Sequence, residues 1–362
     1  AVASAPEGRA RLARLVRDHL AALLRQQTAS LPGIPVERLV LAANTAMTDI
    51  FLDRDISGLC AAPYRRSHAG GCGLTVEGLP PLLIPPLPAP FVGGDISAGL
   101  LRLLAGGLPR PLLLADLGTN GELALVDAQG HLWLASVPLG PALEGIGPQC
   151  GRMAGPGSIT RFEVSPLGLA CHGVDGPLAA GAHVQGISAT GYLSLLALLL
   201  RLGCLDADGH FRTPASPLAR RVAPPPQQTR TGLRLPLPFG QWLAAADVEE
   251  LLKVKAAFSQ ALEALLRAAG LAAADVACLA LAGALGEHCP PACLEELGFL
   301  PSGMGRRVRA VGNSSLDGAA LLAAEPWRLP ALARWCATAT LVPVAEDPGF
   351  HADYLRHMRF GV

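Results

Sequence analysis

The chain of 362 residues has few aromatic residues, no excess of charge of either sign and no closely spaced cysteine pairs. Aromatic residues make up 4% of the chain and the formal net charge is zero, which argues against a nucleic-acid-binding surface. The nine cysteines include no Cys-x-x-Cys pair, so we expect neither a disulfide framework nor an iron–sulfur cluster bound by this chain. Scattered cysteines of this kind favour reduced thiols and a cytoplasmic location.

Long apolar runs are also scarce. The longest, residues 191–200, stops at Arg201 and is too short to span a bilayer. Residues 8–27 alternate arginine with leucine at helical spacing, which is unlike a signal peptide. The histidines do not have the spacing of metal ligands, so no transition-metal site is expected. The sequence therefore predicts a protein that neither enters a membrane nor carries such a metal.

Apolar residues, at 51% of the chain, are sufficient for one or two substantial cores. Their patterns alternate between strands and helices, which predicts an α/β protein. Residues 112–115 and 122–126 are typical of an antiparallel hairpin, and residues 248–269 of a long helix. On that helix we expect Lys253 at the surface; for Lys255 the surface is also favoured, with a position facing a cleft as the alternative. The proline-rich residues 222–240 are predicted to be a surface loop.

The sequence Asp116-Leu-Gly-Thr-Asn-Gly-Glu122 follows a buried strand and has the composition of a phosphate-binding turn. Its glycines allow backbone amides to approach phosphate oxygens, and its hydroxyl and amide side chains add donors. Asp116 could hold a magnesium-bound water or orient an attacking one. The alternative is a simple type I′ hairpin turn, for which Asn-Gly is the strongest local signal. The sequence alone leaves both interpretations open.

Two further glycine-rich segments could contact a ligand. Residues 281–286 lie between a strand and a helix, where they could approach adenosine, although glycines also allow close packing there. Residues 139–157 are costly to order unless they contact something, and the alternative is an ordinary surface loop. Cys150 in this segment could be a nucleophile, but no motif supplies a histidine partner, so a buried small side chain is the simpler interpretation.

Residues 43–47, 91–96, 116–122, 139–145, 150–153 and 312–319 form six ordered motifs. The first and the last are alike, because in each an apolar run stops at Asn-Thr or Asn-Ser and continues into a stretch that permits a helix. Together the six motifs resemble the ATP-dependent reductive activators of corrinoid proteins, a family of the acetate kinase, sugar kinase, Hsp70 and actin (ASKHA) superfamily. The resemblance extends from about residue 8 to residue 362.

The resemblance implies a two-lobed, actin-like (ribonuclease H-like) ATPase fold with mixed sheets flanked by helices. Residues 1–108 would be the remainder of the first lobe, or middle domain. Residues 109–362 would be the second lobe, with a phosphate loop and an adenosine turn. The family's [2Fe-2S] domain and the superfamily's first phosphate loop have no counterpart here, so the first lobe is expected to be incomplete.

The resemblance also implies a function. ATP and Mg²⁺ would drive reduction of a cobalamin-type cofactor, Co(II) to Co(I), on the corrinoid protein of a methyltransferase system. The electron would come from a [2Fe-2S] or other donor elsewhere. Asp116 and Glu122 would be catalytic, with Asp116 also holding Mg²⁺ through water. The cofactor-binding residues would be Gly118, Thr119, Asn120, Gly121, Gly283, Gly286, Gly312 and Asn313, and the corrinoid-facing residues Ser136, Gly140, Glu144 and Gly145.

Two alternatives to this function remain at the level of sequence. The first is a catalytically silent module of the same fold that docks on a corrinoid protein. The second is a phosphotransferase like acetate kinase or the sugar kinases. The sequence does not decide between a monomer and a homodimer.

Overall fold

The computed structural model describes Ala3, residues 5–30 and residues 33–361. The chain divides into two compact units that do not follow a single cut in the sequence. Unit 1 comprises Ala1–Arg110, Ala124–Leu134 and Asn313–Leu341, and unit 2 comprises Pro111–Leu123, Ala135–Gly312 and Val342–Val362. In the part of the chain that is described, no helix has both the length and the apolar character needed to cross a membrane.

Helices and strands alternate along much of the chain. The helices are α1 (Pro6–Thr28), α2 (Thr45–Phe51), α3 (Ser57–Cys60), α4 (Gly94–Ala105), α5 (Ala189–Arg201), α6 (Pro217–Val222), α7 (Ala245–Ala268), α8 (Gly283–His288), α9 (Pro291–Leu297), α10 (Ser314–Ala324), α11 (Leu329–Cys336) and α12 (Phe350–His357). The first strands are β1 (Leu39–Val40), β2 (Gly70–Leu74), β3 (Leu82–Pro86), β4 (Leu112–Leu117), β5 (Asn120–Val126), β6 (Leu132–Pro138), β7 (Ser158–Ile159), β8 (Arg161–Ser165) and β9 (Gly168–Gly173). The remaining strands are β10 (Gly176–Pro177), β11 (Gly186–Ile187), β12 (Gln227–Thr229), β13 (Gly232–Pro236), β14 (Trp242–Ala244), β15 (Cys278–Ala282), β16 (Val308–Ala310) and β17 (Thr340–Leu341).

The largest sheet has six strands in the order β16-β15-β4-β5-β6-β17. Strand β15 pairs in parallel with both β16 and β4, and β17 pairs in parallel with β6. Strands β4 and β5 are adjacent in this sheet and are separated by two residues, so they form the predicted hairpin. All residues of β15 are buried, as are the first four of β4, which explains their continuous apolar runs. The predicted α/β class with mixed sheets is confirmed.

Unit 1 has a core between its small sheet, β1-β3-β2, and helix α2. The buried residues of this core are Phe51, Val76, Leu82, Ile84 and Leu87, and each contributes roughly 1.5–3 kcal/mol by leaving water. Helices α4 and α10 cross closely, since a Cβ atom on Gly318 would stand 1.9 Å from the Ala98 carbonyl oxygen. Only glycine fits at that crossing.

The two Asn-containing motifs begin helices in the same way. The Asn44 side chain accepts a hydrogen bond from the Ala46 amide at the start of α2. The Asn313 side chain accepts one from the Leu316 amide at the start of α10. Asparagine is favoured at this position because its side-chain oxygen satisfies an amide that the helix leaves without a partner. The similarity of the two motifs therefore has a local structural cause.

Unit 2 is built around α5 and α7, which are buried along most of their length. Lys255 on α7 is fully buried and donates to the carbonyl oxygens of His357, at 3.0 Å, and Arg359, at 2.7 Å. The prediction of a surface position was wrong for this lysine and right for Lys253, which is 43% exposed. The predicted loop 222–240 was also wrong in part, because β12 and β13 pair within it.

Candidate functional site

Three parallel strands of unit 2 end at one edge of the largest sheet, and each is followed by a predicted site residue or turn. In the register of β4 and β15, Asp116 is the partner of Ala282, so Gly283 follows directly beside Asp116. The Gly283 amide donates to the carbonyl oxygen of Gly312, at 3.0 Å. Ligands of α/β proteins bind at the carboxyl ends of parallel strands. The structure thus brings together three segments that are far apart in the sequence.

Asp116 is half-buried near the end of β4, and burial raises the pKa of its carboxyl group. Within the described part of the chain, its carboxylate makes no hydrogen bond or ion pair. Its Oδ1 lies 3.6 Å from the point where a Cβ atom on Gly283 would stand. Gly283 has a φ of +76°, so a side chain there would be strained, although a Cβ atom would stand at ordinary contact distance from the carboxylate. A carboxylate with unfilled acceptor sites suits a hydrated divalent cation.

The turn between β4 and β5 is not the common Asn-Gly hairpin turn. Among residues 118–121, all of which are described, none has a positive φ, whereas a type I′ turn requires two. The Gly118 amide donates to the Asn120 carbonyl oxygen, at 3.0 Å, and both Thr119 and Asn120 are exposed. The type I′ interpretation is therefore wrong.

Thr119 joins this turn to the segment that follows β6. Its carbonyl oxygen accepts hydrogen bonds from the amides of Leu139, at 3.1 Å, and Gly140, at 2.9 Å. Its hydroxyl donates to the carboxylate of Glu144, which is exposed at the end of a 3-10 turn, Pro141–Glu144. Gly121 is buried against Leu139: a Cβ atom at this position would lie only 2.8 Å from the Leu139 side chain. The residues at 140 and 144 thus lie against the 116–121 turn.

The glycine-rich loop, residues 139–157, is also held near its middle. The Gln149 amide donates to Asp247 Oδ1 at the start of α7, at 2.9 Å. The Ile187 amide donates to the Cys150 carbonyl oxygen, at 2.7 Å. Cys150 itself is buried, and burial raises the pKa of its thiol, which argues against a nucleophile. The loop is ordered by contacts within the chain, and Asp247 is a residue whose role in it the sequence did not indicate.

The other predicted site residues have mixed surroundings. Glu122 is 8% exposed in β5, and Ser136 is half-buried in β6. Gly286 is buried in α8, where a Cβ atom would stand 2.4 Å from the Leu281 carbonyl oxygen, so close packing accounts for this glycine. Asn313 caps α10 and belongs to unit 1. Their proposed roles toward a ligand stay predictions.

One cluster of side chains outside this site has the composition of a metal site. Ligand atoms of Asp206, Asp208 and His210 lie within 4.8 Å of one another. Both carboxylates already form ion pairs, Asp206 with Arg212 at 2.5 Å and Asp208 with Arg359 at 2.8 Å. The cluster is therefore accounted for as surface electrostatics, and we assign no metal to it.

Comparison with known proteins gives two family matches. Residues 110–361 match the family described as the C-terminal domain of RACo, the ASKHA domain, and residues 1–104 match the RACo middle region. Together the matches cover nearly the whole chain. The predicted ASKHA resemblance is confirmed.

Individual relatives agree with these matches. The corrinoid activation enzyme RamQ of Eubacterium limosum is 28% identical, over 98% of this chain and 62% of that protein. The [Co(II) methylated amine-specific corrinoid protein] reductase of Methanosarcina barkeri is 27% identical, over 68% of this chain and 45% of that protein. A solved reductive activator for corrinoid, iron-sulfur protein aligns with 99% of this chain and 58% of its own, with a TM-score of 0.82 and 25% identity. The chain thus spans less than two thirds of the length of each of these relatives.

Proposed function

The chain belongs to the RACo family, and on that premise we propose that it is the ATPase-type part of a corrinoid-protein reductive activator. In the proposed reaction one electron reaches the Co(II) of a cobalamin-type cofactor and produces Co(I). The cofactor is carried by the corrinoid protein of a methyltransferase system, and the electron comes from a [2Fe-2S] or other donor outside this chain. The names of the two curated relatives support this substrate class.

The observation that carries the proposal is the carboxylate of Asp116. It lies beside Gly283 at the common edge of β4, β15 and β16, and no described group satisfies it. Burial raises its pKa, and a nearby divalent cation would oppose that shift by favouring the charged form. These features fit Mg²⁺ held through water.

The same edge offers groups that fit a nucleotide. Thr119 and Asn120 are exposed at the turn, where a hydroxyl and an amide can donate to phosphate oxygens. When bound, ATP supplies a phosphoryl bond whose hydrolysis releases free energy. The chain's own residues would position the phosphates and neutralise their charge, which is the main contribution of a protein to phosphoryl transfer. We assign the phosphates to Gly118, Thr119, Asn120 and Gly121, the adenosine side to Gly283, Gly286 and Gly312, and a second catalytic carboxylate to Glu122.

The proposed contact with the corrinoid protein involves the segment after β6, which Thr119 contacts. We assign Ser136, Gly140, Glu144 and Gly145 to the face that meets the corrinoid protein. Hydrogen bonds from Leu139 and Gly140 to Thr119 support this assignment, because they connect that face to the proposed phosphate site. We also propose a domain boundary near residue 108, since the two family matches end at 104 and begin at 110.

Visible absorption of a corrinoid protein tests the proposal, because Co(II) and Co(I) forms have different spectra. The purified corrinoid protein is mixed with this chain, a low-potential chemical reductant and MgATP. We expect Co(I) to accumulate only with ATP, and Asp116→Asn to slow it about a hundredfold or more, because the substitution removes a charge at the reacting site. Asp175→Asn, a change at an exposed aspartate of the same unit, is the matched control.

Three other results would contradict the proposal in different ways. Binding of the corrinoid protein without any nucleotide turnover would support the silent docking module. Transfer of phosphate to acetate or to a sugar would support the phosphotransferase. Equal rates for Asp116→Asn and the wild type would remove Asp116 from the chemistry.

A further inference from the structure

We propose that Glu144 is a positioning residue whose hydrogen bond to Thr119 is exchanged for a phosphate when a nucleotide binds, which moves the adjacent loop. This inference rests on the proposed function, since it assumes a phosphate at the 116–121 turn. Thr119 makes three hydrogen bonds to the segment after β6, two through its carbonyl oxygen and one through its hydroxyl. These bonds differ in how a ligand affects them.

The two bonds to the Thr119 carbonyl oxygen do not involve groups that a phosphate needs. They come from the amides of Leu139 and Gly140, and a phosphate, which offers only acceptors, cannot replace them. They therefore keep the start of the glycine-rich loop against the 116–121 turn whether or not a nucleotide is present. They also give an internal reference for any measurement of movement in the loop.

The hydroxyl bond is different because a hydroxyl has one proton to donate. In the structure that proton goes to the Glu144 carboxylate. A phosphate oxygen at the turn needs the same proton, and the two anions repel each other at short range. Thr119 is exposed, so a phosphate can reach it. Binding of phosphate to Thr119 thus requires that Glu144 leave.

The movement of Glu144 is confined to a short part of the loop. Glu144 ends the 3-10 turn, which is closed by two hydrogen bonds. The Gly145 amide donates to the carbonyl oxygen of Ala142 and the Ile146 amide to that of Pro141, both at 3.1 Å. Beyond it, the bond from Gln149 to Asp247 holds the chain to α7.

The segment between these two contacts is residues 141–148, in which Ala142 and Leu143 are buried, so a response to the ligand is expected at the exposed Glu144, Ile146 and Gly147. It carries Ile146, whose side chain is 52% exposed. A nucleotide would thus change the position of an apolar group on the face that we assign to the partner. By linkage, a partner that draws Glu144 away from Thr119 would strengthen nucleotide binding by the same factor.

Calorimetry with MgATP on the wild type and Glu144→Gln tests the exchange. Glutamine can still accept from Thr119 but has no charge, and a hydrogen bond to a charged group is stronger than a neutral one by about 1 kcal/mol, so we expect about fivefold tighter binding. Glu250→Gln is the matched control, because it removes one negative charge from an exposed position on α7 of the same unit. We expect its affinity to equal that of the wild type.

Amide hydrogen exchange provides the second readout. MgATP should speed exchange in residues 141–147 of the wild type and leave the amides of Leu139 and Gly140 unchanged. In Glu144→Gln the exchange of residues 141–147 should already be faster without nucleotide. Thr119→Val should show the same fast exchange, and Thr119→Ser should restore the wild-type behaviour, because serine keeps the hydroxyl.

The outcomes distinguish a failure of the inference about Glu144 from a failure of the proposed function. If the wild type binds MgATP but Glu144→Gln changes neither its affinity nor the exchange of residues 141–147, the inference about Glu144 is wrong and the proposed function stands. Weaker binding by Glu144→Gln would also overturn it, because Glu144 would then support the ligand. If no protein binds MgATP, the proposed function fails and no phosphate exists to displace Glu144.

Discussion

The buried lysine of α7 leads to a prediction about how the free energy of unfolding depends on pH, independent of any ligand. Lys255 is fully buried, and its ammonium group donates to the carbonyl oxygens of His357 and Arg359. Burial lowers its pKa to about 8, and the positive charge of Arg356 adds to the effect. Lys255→Met removes the amine and keeps an unbranched side chain of similar length.

The sign of the pH dependence follows from where the proton is bound. Below pH 8 the folded and unfolded chains both bind the proton of Lys255, so its contribution to stability is constant. Between pH 8 and the ordinary value of 10.5 only the unfolded chain binds it, so the free energy of unfolding rises with pH. The full difference corresponds to about 3 kcal/mol, of which about 2 kcal/mol should be reached by pH 9.5.

Urea unfolding followed by circular dichroism at several values from pH 7.5 to 9.5 measures this difference. The free energy of unfolding of the wild type, minus that of Lys255→Met, should increase by about 2 kcal/mol over this interval. Lys253→Met is the control, since the carboxylates of Glu249 and Glu250 raise the pKa of Lys253 and its stabilising contribution stays constant until higher pH. A flat curve for Lys255→Met would show that the lysine stays charged in the fold and would refute the reasoning.

Two further predictions concern the packing of the site and the exposure of the thiols. Gly121→Ala should lower stability by about 1–3 kcal/mol in thermal unfolding, because its Cβ would lie 2.8 Å from the Leu139 side chain. Gly118→Ala should change the stability by less than about 1 kcal/mol, since the atom nearest to its added Cβ would be 3.7 Å away. Equal changes in stability for the two substitutions would contradict the packing account. Iodoacetamide at pH 7.5 should modify Cys60 and Cys72, which are exposed, before any other cysteine in peptide mapping by mass spectrometry. Early labelling of a buried cysteine would contradict this order.

Local signals in the sequence were sufficient to predict the hairpin at the site and the starts of two helices in unit 1. The hairpin of β4 and β5 follows from two apolar runs separated by a short polar turn. The starts of α2 and α10 follow from asparagine before a helix-compatible segment, and both are confirmed by the side-chain caps. Such features depend on residues a few positions apart, so the sequence displays them directly.

The features that the sequence did not reveal depend on contacts between distant residues. The bond between Thr119 and Glu144 joins residues 25 positions apart. The burial of Lys255 depends on a C-terminal segment more than 100 positions away. The Asn-Gly signal at residues 120–121 was overridden because Gly121 packs against Leu139, and the pairing of β12 with β13 was hidden by the prolines before it. Tertiary packing decided these positions against local preference.

The central claim is that Asp116 and the turn after it bind a magnesium nucleotide, and calorimetry tests it most directly. MgATP is titrated into the wild type and into Asp116→Ala, with Asp175→Ala as an exposed control in the same unit. The account predicts micromolar binding to the wild type and the control, and a loss of about a hundredfold or more in Asp116→Ala, because the charge that holds the cation is gone. Equal binding by Asp116→Ala and the wild type, or no binding by either, would contradict it.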